Sequence, residues 1–304
     1  MCAAFIVILQ YTVTKGSPLF RKTYIEITTQ CNRSCDFCPG TTRPARFMDK
    51  ELFKLFLQQL QGMGRLLHFH VMGEPLLHPD LSDFLDMCAP YGYRVNVVTN
   101  GLLLPSVAHA ILGKQALRQV SISLHHLSER MPVHEIDAYF QGLSDFMGEV
   151  LISRGLFVSL RLWNREAVVD SAFCSDVTRR IAELFSLNPA NIDNCANHAP
   201  VRLAENIWLN RGLRFQWPSL ENKNYGDQGT CLGLREQIAV LVDGTVTPCC
   251  LDCEGIIALG NVRQNCLSDI VKGPRARAIS EGFAQGKIVE PLCGHCSYRL
   301  RFKL

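Results

Sequence analysis

Between Lys22 and Asn164 short apolar runs alternate with helical patterns, and no other feature of the chain limits its fold as strongly. The runs are Thr23–Thr28, Leu67–Met72, Arg94–Thr99, Val120–Leu124 and Phe157–Trp163. Asp49–Leu60 carries Leu52, Phe53, Leu55, Phe56 and Leu60 at the three-to-four spacing of an amphipathic helix. Leu81–Cys88, Ser106–Leu112 and Ile136–Leu151 also read as helices. Strands separated by helices in this way predict repeated β-α units, a parallel sheet and right-handed crossovers. The pattern by itself leaves a β/α barrel and a doubly wound sheet both open.

Regularity decays further on. Val168–Leu187 reads as a helix, Asn188–Asn197 as a loop, and Ile207–Trp217 as one more strand or a hairpin. After a polar linker, Ser219–Gly229, the runs Gln237–Val242 and Thr245–Pro248 flank Asp243-Gly244, a strong hairpin signal. Ala258–Val262 is short and apolar, Leu267–Phe283 reads as a helix, and Cys293-Gly294-His295-Cys296 follows. The change of character predicts two domains, 1–220 and 221–304. With 47% apolar and 19% charged residues the chain can bury a substantial core, and its net charge of +3 argues against a partner held by bulk charge, such as nucleic acid. The apolar start, Met1–Leu9, lacks the preceding positive charges of a signal peptide. It also falls short of the roughly 18 apolar residues of a membrane span, so it reads as an edge strand or a frayed start. Fourteen cysteines in tight spacings suit metal ligation in a thiol-reducing cytoplasm better than disulfides.

Directly after the first strand comes Cys31-Asn32-Arg33-Ser34-Cys35-Asp36-Phe37-Cys38-Pro39. Three thiols within eight residues can wrap one centre from a single loop. Structural zinc and an ordinary iron–sulfur cube both want four protein ligands. The next candidates, His68 and His70, lie on the following strand. A zinc loop completed by a distant histidine, unligated thiols, and a cube with one open iron are the three readings.

This spacing, in that loop of a β/α domain, resembles the radical SAM superfamily. The resemblance implies a partial (β/α)6 TIM-type barrel, with Cys31, Cys35 and Cys38 on a [4Fe–4S] cluster whose open iron chelates S-adenosylmethionine. Val71-Met72-Gly73-Glu74-Pro75 resembles the family's Gly-Gly-Glu segment, with Met72 in place of the first glycine, which makes Gly73 and Glu74 the holders of the S-adenosylmethionine amino group. Phe37, Thr99, Asn100 and Ser123 become cofactor contacts by the same resemblance, and Arg161 a partner for the cofactor's carboxylate. These residues end successive strands, where β/α barrels gather their chemistry. Taken residue by residue, Asn100-Gly101 reads equally as a turn and Ser123 as a cap. His125, His126, Arg161 and Trp163 are candidates for proton transfer and substrate contact, His125 and Arg161 foremost. Only one of the two adjacent histidines can face the barrel interior.

Cys231, followed by twelve residues, Gly244, four residues and Cys249, then Cys293-x2-Cys296, resembles the twitch form of the SPASM domain. That likeness implies a small cysteine-rich α+β domain with an auxiliary [4Fe–4S] cluster on Cys231, Cys249, Cys293 and Cys296. Cys249 and Cys250, adjacent on a strand, point to opposite faces and cannot both serve. Cys250-x2-Cys253 remains a substitute, and a four-cysteine zinc ribbon remains an alternative. Cys88, Cys174 and Cys195 read as buried or incidental thiols, Cys266 as surplus.

The resemblance implies reductive cleavage of S-adenosylmethionine to a 5′-deoxyadenosyl radical, hydrogen abstraction from a substrate C–H bond, and electron transfer to the auxiliary cluster. Flavodoxin or ferredoxin would supply electrons. The substrate would be a peptide residue or a carbohydrate or cyclitol alcohol. A zinc-binding interaction module, and a radical enzyme acting on RNA or a cofactor precursor, stay in competition.

Overall fold

The computed structural model describes residues 19–127, 130–153, 155–165, 172–193, 199–213 and 215–302. Its elements are β1 (Lys22–Ile25), α1 (Lys50–Gln59), β2 (Leu66–Phe69), α2 (Leu81–Cys88), β3 (Arg94–Thr99), α3 (Leu104–Ile111), β4 (Leu117–Ser123), α4 (Val133–Ile152), β5 (Phe157–Arg165), α5 (Ala172–Leu184) and α6 (Pro189–Asp193). They continue as β6 (Val201–Ala204), β7 (Ile207–Leu213), β8 (Gln237–Val240), β9 (Thr245–Thr247), β10 (Gly260–Asn261), α7 (Leu267–Val271), α8 (Pro274–Ala284) and α9 (Pro291–Gly294). The segment Met1–Leu9, Cys195, residues 168–171 and 194–197, and the side chains of Trp163 and Cys174 lie outside the described residues.

The five strands and four helices expected between Lys22 and Asn164 are present. The chain forms two compact units that do not divide at 220/221: one lies within Val98–Arg214, the other joins Lys15–Val97 to Phe215–Leu304. The reason is strand pairing. β8 lies parallel to β1, with Tyr24 opposite Ala239 and Ile25 opposite Val240, so the C-terminal residues belong to the sheet that the N-terminal strands begin.

In that unit β10, β9, β8, β1, β2 and β3 are successive neighbours. β1, β2 and β3 are mutually parallel, while β8, β9 and β10 form an antiparallel meander. The Asp243-Gly244 turn joins β8 to β9 as expected, with Asp243 Oδ1 accepting from the Thr245 N–H at 2.9 Å. Under one face sit α1 and α2, whose Phe53 stacks on Phe84 at 4.0 Å and meets Phe69 of β2 edge-on. Asp49 caps α1 by accepting from the Leu52 N–H at 2.7 Å, the position at which such a side chain satisfies an otherwise orphan donor.

The second unit places β4, β5, β7 and β6 side by side, β4–β5 and β5–β7 parallel and β6–β7 antiparallel. The region read as one further strand or a hairpin, Ile207–Trp217, holds one strand, β7, which extends the parallel sheet; β6, which precedes that region, pairs antiparallel with it. Asn188–Asn197 contains α6, because Asn188 Oδ1 accepts from the Ala190 N–H at 2.9 Å and Pro189 occupies the first helical position. The helix expected over Leu267–Phe283 is broken into α7 and α8 at Gly273-Pro274, since Pro274 cannot donate to the preceding turn.

Candidate functional site

The cysteine loop is an excursion closed at its neck. Thr28 Oγ1 donates to the Arg46 carbonyl at 3.0 Å, Thr29 Oγ1 to the Pro44 carbonyl at 3.0 Å, and the Met48 N–H to the Ile27 carbonyl at 2.8 Å. Arg43 grips the same neck from inside. Its two terminal nitrogens donate to the two oxygens of Glu26 at 2.7 and 2.5 Å, and Glu26 is fully buried. Glu26 also accepts from the Val242 N–H at 3.0 Å, and Thr42 Oγ1 donates to Glu254 at 2.7 Å. The loop is therefore anchored to the β8–β9 turn as well as to its own strand.

Within it Cys31 and Cys38 are exposed and Cys35 half-buried. Burial pushes the Cys35 thiol up to about 11, and the neighbouring Cys31 and Cys38 add to the effect. The three sulfurs thus share one electrostatic environment. Among the described residues no three His, Cys, Asp or Glu side chains converge tightly enough to hold one metal ion. Three thiols in one loop supply the sulfur ligands that an iron–sulfur cluster takes.

Gly73 and Glu74 are sewn to this loop. The Glu74 N–H donates to the Gln30 carbonyl at 2.7 Å. Gly73 has φ +73°, and a Cβ there would stand 2.3 Å from the Thr28 carbonyl oxygen and 2.8 Å from that of Gln30, so only glycine fits. Val71, a β-branched residue at φ +122°, ends β2 earlier than the apolar run Leu67–Met72 suggested. Strain of this kind persists where surrounding structure overdetermines it, commonly at functional sites. One oxygen of buried Glu74 accepts from the Leu76 N–H at 3.0 Å and caps the short helix Pro75–Leu77.

The other candidate contacts lie in the unit within Val98–Arg214. Ser123 and Arg161 are register partners on β4 and β5, and His125 Nδ1 donates to the Arg161 carbonyl at 3.3 Å, so these three are neighbours. His126 instead is buried edge-on against Tyr139, with Nδ1 donating to the Ser123 carbonyl at 2.8 Å. The adjacent histidines therefore differ, His126 buried and His125 half-buried. Thr99 and Asn100 shape the turn at Gly101: Thr99 Oγ1 accepts from the Gly101 N–H and Asn100 Oδ1 from the Leu102 N–H. Tyr139 donates to the Asn100 carbonyl at 3.0 Å.

The second cysteine group lies in a buried environment. Burial raises Cys249 well above the ordinary thiol value, with Cys250, Cys231 and Cys293 adding; Cys293 rises by burial with Cys231 and Cys296 adding. Cys253 sits elsewhere, among Glu254, Arg43, Asp252 and Glu26. Arg299, which sequence reasoning missed, is buried beside the group. It donates to the carbonyls of Cys293, Gln228 and Gly226 at 2.8, 2.8 and 2.7 Å. Its charge opposes the burial that raises Cys231 and Cys296.

Two family models match this chain: the radical SAM superfamily over residues 25–146, and SPASM, an iron–sulfur cluster-binding domain, over residues 231–297. The chain belongs to the radical SAM superfamily. This radical SAM protein is 31% identical over 115 residues to the S-adenosyl-L-methionine-dependent 2-deoxy-scyllo-inosamine dehydrogenase of Niallia circulans, covering 35% of this chain and 46% of that one. It spans less than half the length of the curated relatives it matches. Among solved structures it is similar to BtrN in complex with AdoMet and 2-DOIA, with TM-score 0.58, 19% identity and coverage of 92% and 93%. It is also similar to Streptococcus suis SuiB bound to precursor peptide SuiA, with TM-score 0.55, 16% identity and coverage of 92% and 71%. Its fold is the α/β partial barrel of those enzymes. Membership brings S-adenosylmethionine and a [4Fe–4S] cluster as cofactors, and the SPASM domain an auxiliary cluster. The thiols of this radical SAM protein, in two groups whose members influence one another's ionisation, have the sulfur chemistry those clusters take.

Two thiols outside both groups make stability pH-dependent. Burial pushes Cys253 up to about 12 and raises Cys88 well above its ordinary value. In the unfolded chain such thiols ionise near 8.5. Raised folded-state values mean that the stabilisation is complete below pH about 8.5 and is lost as pH climbs towards 12. Urea midpoints of the anaerobically loaded protein are expected to fall above pH 9, by on the order of 1–2 kcal/mol per thiol at pH 10. The double variant Cys88→Ala, Cys253→Ala should have a flatter profile.

Proposed function

We propose that this chain is a radical SAM oxidoreductase that removes hydrogen from a substrate C–H bond and passes the surplus electron to its auxiliary cluster. When bound, the cofactors supply reductive cleavage of S-adenosylmethionine to methionine and a 5′-deoxyadenosyl radical. The observation that carries the reading is the closed loop bearing Cys31, Cys35 and Cys38, tied by the Gln30–Glu74 bond to a glycine that admits no side chain.

In this reading Cys31, Cys35 and Cys38 hold the first cluster and Phe37 covers it. Gly73 and Glu74 orient the cofactor's amino group, Thr99, Asn100 and Ser123 its ribose, and Arg161 its carboxylate. His125, beside Arg161, takes the proton that leaves the oxidised substrate. Cys231, Cys249, Cys293 and Cys296 hold the auxiliary cluster, and full coordination there suits electron transfer. A reduced flavodoxin or ferredoxin is the donor, and a thiol-reducing cytoplasm keeps eleven free cysteines reduced among the described residues. Among those residues no helix is long and apolar enough to cross a membrane. The dehydrogenase relative supports an alcohol as substrate and the SuiB likeness keeps a peptide residue in view; the net charge of +3 makes RNA the weaker choice.

Anaerobic reconstitution is expected to give a brown protein with about eight irons, two cubes of four. Formation of 5′-deoxyadenosine should require dithionite. Cys35→Ala should abolish it and leave about four irons in the auxiliary site. A colourless protein holding only zinc would overturn the proposal.

A further inference from the structure

Four strands of the unit that carries the cysteine loop place one side chain each in a single transverse row. Pairing registers set Ala239 of β8 opposite Tyr24 of β1, Tyr24 opposite His68 of β2, and His68 opposite Asn96 of β3. Neighbouring strand residues point to opposite faces. Phe69 meets Phe53 of α1, so the row faces away from the helices.

Barrel interiors are ordinarily filled by branched apolar side chains. Here a phenol, an imidazole and a carboxamide replace them. They are also organised: the Tyr24 ring lies 5.1 Å from that of His68 and 6.1 Å from that of His70, one pleat further along β2. The Asn96 amide nitrogen donates to His68 Nδ1 at 3.0 Å, which leaves the ring proton of neutral His68 on Nε2. Tyr24, His68 and His70 are half-buried, while Asn96 and the Nε2 of His68 are buried. Beside the row the surface turns apolar. Tyr24, Trp217 and Cys250 pack on a patch of Val71, Met72, Ala239, Leu241 and Cys253. No member of the row bears a fixed charge, and the charged pair further along β1, Glu26 with Arg43, is compensated within itself.

We infer that Tyr24, His68, His70 and Asn96 form the substrate-recognition floor of this enzyme, with Trp217 as its apolar wall, and that the ligand class is a small neutral ring bearing several hydroxyl groups. The inference rests on the oxidoreductase reading above and narrows its substrate from two classes to one. A polyol presents hydroxyl groups that both donate and accept, which phenol, imidazole and carboxamide match without charge. It also presents a C–H face, which the rings of Tyr24 and Trp217 can cover. A carboxylate or phosphate substrate would call for Arg or Lys on the row, and an extended peptide for an open strand edge.

The test uses the anaerobically loaded protein with S-adenosylmethionine, and myo-inositol and D-glucose as probes. Diethyl pyrocarbonate labelling of His70, read by peptide mass spectrometry, is expected to fall at least threefold when either probe is added. Binding by calorimetry should weaken at least tenfold in His70→Ala and several-fold in Tyr24→Phe, which keeps the ring and its packing. The inference is overturned if neither probe protects His70, if Tyr24→Phe and His70→Ala bind the probes as the wild type does, or if only a peptide protects. Iron content and dithionite-dependent 5′-deoxyadenosine from the wild type report on the oxidoreductase reading separately.

Discussion

Replacing Arg43 by alanine is expected to destabilise the protein by about 3–5 kcal/mol, the cost of breaking one side of a buried ion pair. The effect is large because Glu26 has no solvent to fall back on: its side chain is fully buried. Without the guanidinium, the Val242 N–H is the remaining hydrogen-bond donor recorded for that carboxylate. The same change opens the neck of the cysteine loop, so first-cluster loading should drop with stability. Urea unfolding and iron content of anaerobic preparations measure both. The pair-neutral variant Glu26→Gln with Arg43→Met should recover much of the loss, because it strands no charge. A single Arg43→Ala variant within about 1 kcal/mol of wild type would show that the pair behaves like an exposed one.

That pair also marks where sequence reading stopped. The β-α alternation was legible because each helix writes its buried face in the chain, as α1 does with Leu52, Phe53, Phe56 and Leu57. The β8–β9 turn was legible from Asp243-Gly244, and the two thiol groups from spacing. The break at Gly273-Pro274 and the start of α6 at Asn188-Pro189 were written as plainly, yet the longer helical and loop patterns masked them. Glu26 and Arg43 carry no such mark. They are 17 residues apart, and only the fold of the loop brings them together. Nothing local announces that β8 pairs with β1, which is why a linear division of the chain differs from its compact units. The Tyr24–His68–Asn96 row is hidden for the same reason, since register across three strands is a tertiary fact.

Arg299→Ala should be the most damaging single change in the C-terminal part, costing more than about 4 kcal/mol and emptying the auxiliary cluster site. Arg299 is 4% exposed and ties three carbonyls together: that of Cys293, which also accepts from the Cys296 N–H at 3.3 Å, and those of Gln228 and Gly226 on the approach to Cys231. Hydrogen bonds to a charged donor contribute about 1.5–3 kcal/mol each, and losing the donor leaves buried acceptors unsatisfied as well. Arg299→Lys should rescue only partly, because one ammonium cannot span three carbonyls arranged around a planar fork. Iron should fall from about eight to about four per chain, with dithionite-dependent 5′-deoxyadenosine still formed. That combination separates a failed auxiliary site from a misfolded protein: loss of both clusters would mean that Arg299 holds the whole C-terminal part in place, and retention of both would mean that it only decorates the site.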